Sequence, residues 1–284
     1  MGPDESRGLI VHGGSATITR SPQSRPVWLA PDDTFGELLL PLWCRCDRFH
    51  DMKAPRRNLA RLKGKIVTID GPAGSGKSTT ARMLAAQLGY QYLDTGAMYR
   101  ALTYFAMKNG VAAADSIKLE ALARNLSFEF ESRDDINRVF INGEDVTEAI
   151  RTPEVTREVS QVSAHEGVRK AMVAKQRQIG AKGSVVAEGR DMATVVFPNA
   201  HFKFYMDASI EVRAQRRLLD LVKMGETVNL EEIIEDIKRR DNYDSTREHS
   251  PLKRARSAYV VDTTNMTVEG QTEHILSLIM SLAK

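Results

Sequence analysis

The sequence has almost no cysteine: two residues in 284, Cys44 and Cys46, separated by a single arginine. That excludes a disulfide scaffold and fits a reducing compartment, so the chain reads as cytoplasmic. A Cys-x-Cys pair with no second ligand pair nearby does not make a metal or redox site, and the thiols read as incidental. A charge excess is also missing. Forty Lys and Arg stand against 37 Asp and Glu, a formal net charge of +3, which leaves no footprint for nucleic acid or a membrane surface. No apolar run approaches the roughly 18 residues that cross a bilayer; the densest cluster, Leu38-Leu39-Leu40-Pro41-Leu42-Trp43, is short and broken by proline. Hydrophobic residues make up 42% of the chain, enough for a sizeable core.

These scarce residues are unevenly spread. Both tryptophans (Trp28, Trp43), both cysteines and six of the ten prolines lie in residues 1–62. Strand and helix periodicity is poor before Lys63, whereas from Gly64 onward such signals follow one another with short connections. Residues 1–62 are therefore expected to be a poorly ordered N-terminal extension, and 63–284 the folded domain. Asp4 and Glu5 spoil a basic secretory n-region and argue against an acid-poor transit peptide. A chain starting at Met52 has a short basic lead, Met52-Lys53-Ala54-Pro55-Arg56-Arg57, before the first strand, which makes 1–51 dispensable and Met52 an alternative start.

Ile66-Val67-Thr68-Ile69-Asp70 is a β-branched run of the kind that forms a buried parallel strand. Gly71-Pro72-Ala73-Gly74-Ser75-Gly76-Lys77-Ser78-Thr79 follows at once, and then Ala81, Met83, Leu84, Ala85 and Leu88 at helical spacing. Strand, glycine loop and helix stand in the order that a phosphate-binding loop requires. Glycines let successive backbone N–H groups turn toward one centre, and the helix dipole adds to them. Lys77 is expected to reach the β- and γ-phosphates of a nucleotide, and the Ser78 hydroxyl to ligate Mg²⁺. Such a loop defines a donor site only.

The acceptor must be read elsewhere. A short strand, Tyr90–Leu93, runs into Asp94-Thr95-Gly96-Ala97-Met98-Tyr99-Arg100, at the carboxyl ends of the strands, where open parallel sheets bind ligands. Asp94 or Thr95 suits a helix cap, which leaves Arg100 without a structural reason. Leu126–Glu131 and Arg138–Ile141 alternate as strands, and Asn142-Gly143 is a hairpin signal. Helices are expected over 154–164, 168–179, 210–224, 230–240 and 267–282, and strands over 184–187, 201–206 and 258–261. The whole is an α/β sheet sandwich. Arg213, Arg216 and Arg217 share one helix face, which for Arg213 reads as a solvated face. Arg190, Arg240 and Arg247 each have an Asp nearby to orient the guanidinium, and guanidinium forks match phosphate oxygens.

The segments Gly71–Thr79, Asp94–Arg100, Ile150–Val155, Gly189–Pro198 and Arg240–Arg247 together resemble the bacterial cytidylate kinase family over about 63–284. The resemblance implies a phosphate-loop nucleoside monophosphate kinase fold, a parallel sheet core with a monophosphate-binding insert (about 122–182) and a lid (about 210–235). It implies transfer of the ATP γ-phosphoryl group to CMP and dCMP with Mg²⁺. By motif position, Thr95, Arg100, Arg190 and Arg240 would hold the CMP phosphate. Ser160, Arg169, Asp191 and Arg247 would read cytosine, and Asp244 the sugar. Lys77, Arg190, Arg240 and the lid residues Arg216 and Arg217 would stabilise the transferring group. The expected partners are these small molecules, with no nucleic acid, membrane or second subunit. The alternatives are a kinase of the same fold acting on UMP, AMP or shikimate, and a non-enzymatic nucleotide-binding module.

Overall fold

The computed structural model describes residues 8–12, 15–19, 59–133, 136–223 and 225–283. In the leader, strands β1 (Gly8–His12) and β2 (Ser15–Thr19) pair antiparallel, a hairpin that the sequence reading did not anticipate. The expectations for Met52 and for Trp28 to Trp43 fall outside the described residues.

After a short 3-10 turn (Leu59–Leu62), β3 (Ile66–Asp70) leads through the glycine loop into α1 (Lys77–Leu88) and β4 (Gln91–Asp94). Next come α2 (Thr95–Lys108), α3 (Ser116–Asn125) and strands β5 (Phe128–Arg133), β6 (Ile136–Ile141) and β7 (Glu144–Asp145). Helices α4 (Pro153–Val162) and α5 (Glu166–Gly180) precede β8 (Val185–Gly189) and β9 (Phe202–Asp207). The chain ends with α6 (Ile210–Lys223), α7 (Leu230–Thr246), β10 (Tyr259–Asp262) and α8 (Val268–Leu282).

Five strands form one parallel sheet in the order β10-β9-β3-β8-β4. Both faces are covered, which is why these strands read as near-continuous apolar runs. Period-2 alternation divides β8 between two cores: Val185 and Ala187 pack with α2, α3 and α5, while Val186 packs with α1 and α8. A third cluster, Ala214 with Ile233 and Ile237, joins α6 to α7. Asn142 (φ 49°) and Gly143 (φ 82°) both adopt the left-handed conformation, so this pair turns β6 into the short β7.

Two boundaries differ from expectation. Leu62 is fully buried in the α1/α8 core and Leu59 packs against it, so the packed unit begins ahead of residue 63. Helix α7 runs on to Thr246, so the segment from Arg240 to Thr246 is helical, not a connecting loop. Among the described residues no helix is long and apolar enough to cross a membrane.

Candidate active site

Strands β3, β4, β8 and β9 end together, and their carboxyl ends open on a cavity of about 530 Å³. The glycine loop forms one wall. Gly76 caps α1 at φ 85°, a conformation open to glycine, and a Cβ on Gly71 would sit 2.1 Å from the Met206 carbonyl oxygen of β9. Ala73, Gly74, Gly76, Lys77, Ser78 and Thr79 line the cavity. Gly71, Pro72 and Ser75 lie behind these residues. They shape the loop from behind: the Pro72 carbonyl accepts from Ser75 Oγ (3.1 Å) and Lys77 Nζ (3.0 Å), and the Ser75 carbonyl accepts from Thr263 Oγ1 (2.9 Å).

The remaining sequence-derived residues, Thr95, Arg100, Ser160, Arg169, Arg190, Asp191, Arg216, Arg217, Arg240, Asp244 and Arg247, all line the same cavity. Helix α2 brings Thr95 and Arg100. Asp94 is the cap of α2, accepting the Ala97 amide at 2.7 Å, and its other oxygen holds Arg100 at 3.3 Å. The capping residue therefore also aims the arginine. Thr95 donates its hydroxyl to the Glu188 carbonyl at 2.6 Å.

The arginines find their acidic partners at a distance in sequence. Asp191 is the buried partner of Arg169, which also donates to the Ser163 carbonyl at 3.1 Å and stacks over Tyr99 at 5.3 Å. Arg190 Nε donates to Asp244 at 2.8 Å, and Arg247 lies 3.7 Å from the other Asp244 oxygen. Asp241 pairs with Arg213. The expectation that Asp191 orients Arg190 and Asp241 orients Arg240 is thus corrected: adjacent residues on a strand end or helix point apart, and the partner comes from another element.

Arg213 is not solvated. Its guanidinium donates to the Ala208 (3.0 Å) and Ala73 (3.3 Å) carbonyls as well as to Asp241, tying the glycine loop to α7. Arg216 is likewise held, by the Thr263 carbonyl (2.7 Å) and hydroxyl (3.0 Å). Replacing Arg213 by Ala leaves Asp241 alone, with one carboxylate oxygen already lacking a partner. The expected result is a loss of about 2 kcal/mol, since the pair is only partly shielded, and a raised KM for ATP, checked by thermal melting and steady-state kinetics.

Glu188, at the end of β8, was not singled out from the sequence as a site residue. Its carboxylate accepts from Ser78 Oγ at 2.9 Å and Tyr92 hydroxyl at 2.6 Å, and burial, reinforced by Asp94, pushes its pKa up. The signal available was an acid ending a buried strand beside the phosphate loop.

The cations of this site are crowded. Burial and the nearby Arg190 push the Lys77 ammonium down to about 7, and burial with Arg190 lowers Arg240 to about 10. The Arg240 Nε has no hydrogen-bond partner. Nine Lys and Arg line the cavity against six carboxylates, and buried like charges that depress one another are relieved by an anion.

A loop shaped for one polyphosphate and an arginine wall for a second anion share a single cavity. A nucleotide-hydrolysing switch has no use for the second half; the fold and cavity are those of a phosphate-loop kinase. The cytidylate kinase family model matches residues 67–281. A cytidylate kinase of Bacillus cytotoxicus is 46% identical over 213 residues, covering 75% of this chain and 95% of that protein. Those of Bacillus subtilis (47% over 213 residues; 75% and 95%) and a Geobacter species (47% over 212 residues; 75% and 91%) are similarly related. A solved shikimate kinase from Acinetobacter baumannii is far more distant, at 18% identity and a TM-score of 0.38 over 76% of this chain and 93% of that one. The chain belongs to the cytidylate kinase family.

Proposed function

We propose that the protein transfers the γ-phosphoryl group of ATP to CMP and dCMP, giving ADP and CDP or dCDP. Family membership supports this, and the observation that carries it is the single cavity in which the phosphate loop faces Arg190, Arg240 and the buried Arg169–Asp191 pair. The glycine loop and Lys77 hold the ATP phosphates. Thr95, Arg100, Arg190 and Arg240 hold the CMP phosphate, whose oxygen attacks the γ-phosphorus as the bond to ADP breaks. That oxygen is largely ionised at pH 7, so no general base is required. Lys77, Arg190 and Arg240, with Arg216 and Arg217 from the lid, neutralise charge on the transferring group.

Ser160, Arg169, Asp191 and Arg247 read cytosine, and Asp244 the sugar. An acceptor such as Asp191 suits the exocyclic amine of cytosine, and donors such as Arg169 suit N3 and O2. Uracil would set a carbonyl against the carboxylate and leave both groups unpaired. Ser78 and Glu188 offer the hard oxygen donors that Mg²⁺ prefers, one hydroxyl and one carboxylate held together, with substrate phosphates to complete the shell. Bound there, Mg²⁺ would supply charge neutralisation at the β- and γ-phosphates. The protein works as a cytoplasmic monomer.

Incubation with ATP labelled at the γ-phosphorus and CMP tests the reading: label is expected in CDP alone. Label left on the protein, or released as inorganic phosphate, would contradict direct transfer.

We propose further that the kinase unit starts between Met52 and Leu59, with 122–182 as the monophosphate-binding insert and 210–235 as the lid. A chain beginning at Met52 is expected to keep the full melting temperature and CMP turnover. One beginning at Gly64 loses Leu59 and Leu62 from the core, at a cost of about 3 kcal/mol or more. Melting curves of the three chains side by side check this.

A further inference from the structure

We infer that Asp70 is a positioning residue, one that fixes the cytosine-reading backbone against the donor loop. The inference rests on the proposed role of Asp191. Asp70 closes β3, is fully buried, and is followed directly by Gly71. Its two carboxylate oxygens accept two different amides: Oδ1 accepts from Met192 and Oδ2 from Ala193, each at 2.8 Å. These are the two amides immediately after Asp191. They open a wide helical turn, Met192–Val196, in which the Asp191 carbonyl accepts the Val195 (2.8 Å) and Val196 (3.1 Å) amides.

The first amides of a helical turn have no partner inside it, and an anion is their best acceptor. Register decides where this carboxyl group lands. Asp70 stands opposite Gly189 in the parallel β3/β8 ladder, so its side chain passes over Arg190 and Asp191 and grips the backbone just beyond them. Arg190, proposed to hold the phosphate, and Asp191, proposed to read the base, are therefore held at both ends, by the ladder at Gly189 and by the carboxylate at Met192 and Ala193. The carboxylate touches only the acceptor side: the donor loop begins at the next residue and is shaped by its own hydrogen bonds, so loss of the carboxylate should fall on the CMP site. An asparagine could not replace Asp70. Its amide nitrogen would face an N–H donor and leave that amide unpaired.

The test compares wild type and Asp70→Asn, as full chains, for KM and kcat with CMP and UMP, KM for ATP, and melting temperature. The KM for CMP is expected to rise about tenfold while that for ATP stays within twofold, and the preference for CMP over UMP should fall by a similar factor. In an Asp191→Ala background, Asp70→Asn should cost no further preference. Wild-type KM and preference with a lowered melting temperature, or equal losses for ATP and CMP, would make Asp70 a residue of the fold and overturn the inference. Should Asp70→Asn not fold, Asp70→Ser, whose shorter hydroxyl cannot span both amides, carries the same comparison; failure of both to fold would also overturn it. A wild-type protein inactive on CMP would instead overturn the proposed function itself.

Discussion

Lys77→Met should lower kcat on the order of 10²- to 10³-fold at saturating ATP, the usual effect of removing one preorganised charge from a developing anion. The fold should survive unharmed. The ammonium is buried, crowded by Arg190 and Arg240, and hydrogen-bonded to the Pro72 carbonyl. A methionine of similar shape removes a desolvated, repelled charge, so the melting temperature without nucleotide should be unchanged or slightly raised. The stabilisation that ATP adds should shrink in parallel. Near-wild-type turnover would remove Lys77 from the donor site, and a collapse of the melting temperature would make it a structural lysine.

Asp191→Ala should produce the second large effect, and on two observables at once. Removing one partner of a buried ion pair strands the other, typically at about 3–5 kcal/mol. Arg169 is poorly placed to absorb this, because its Nε already lacks a partner. A fall in melting temperature of roughly 10 °C is therefore expected. The CMP-to-UMP ratio of kcat/KM should drop on the order of 10²-fold, since the carboxylate that meets the cytosine amine is gone. Kinetics at a temperature where the variant is folded separate the two effects. Equal loss for CMP and UMP would make Asp191 a residue of stability and not of recognition.

Much of this was legible in the sequence because the signals were local. The β-branched run before Gly71 gave β3, and the asparagine-glycine pair 142–143 gave a turn. The phosphate loop needs a spacing that few other structures impose. Pairing across the fold was not legible. Arg190 has Asp191 beside it, yet its partner is Asp244 on α7; Arg213 looked solvated and is anchored to the donor loop; Asp94 both caps α2 and aims Arg100. Each depends on which elements the sheet order brings together. The ends of elements were blurred for a related reason. Leu59 and Leu62 gain their meaning from packing with α1 and with α8, the latter at the far end of the chain, and α7 continues through polar residues that show no apolar period.

The central claim is that this cavity passes a phosphoryl group from ATP to a cytidine monophosphate. One ATP-coupled assay offering CMP, dCMP, UMP, AMP and shikimate in parallel tests it most directly. The account predicts rapid ADP formation with CMP and dCMP, turnover with UMP lower by orders of magnitude, and none above background with AMP or shikimate. Equal rates on CMP and UMP, a preference for AMP or shikimate, or ATP hydrolysis indifferent to any acceptor would contradict it.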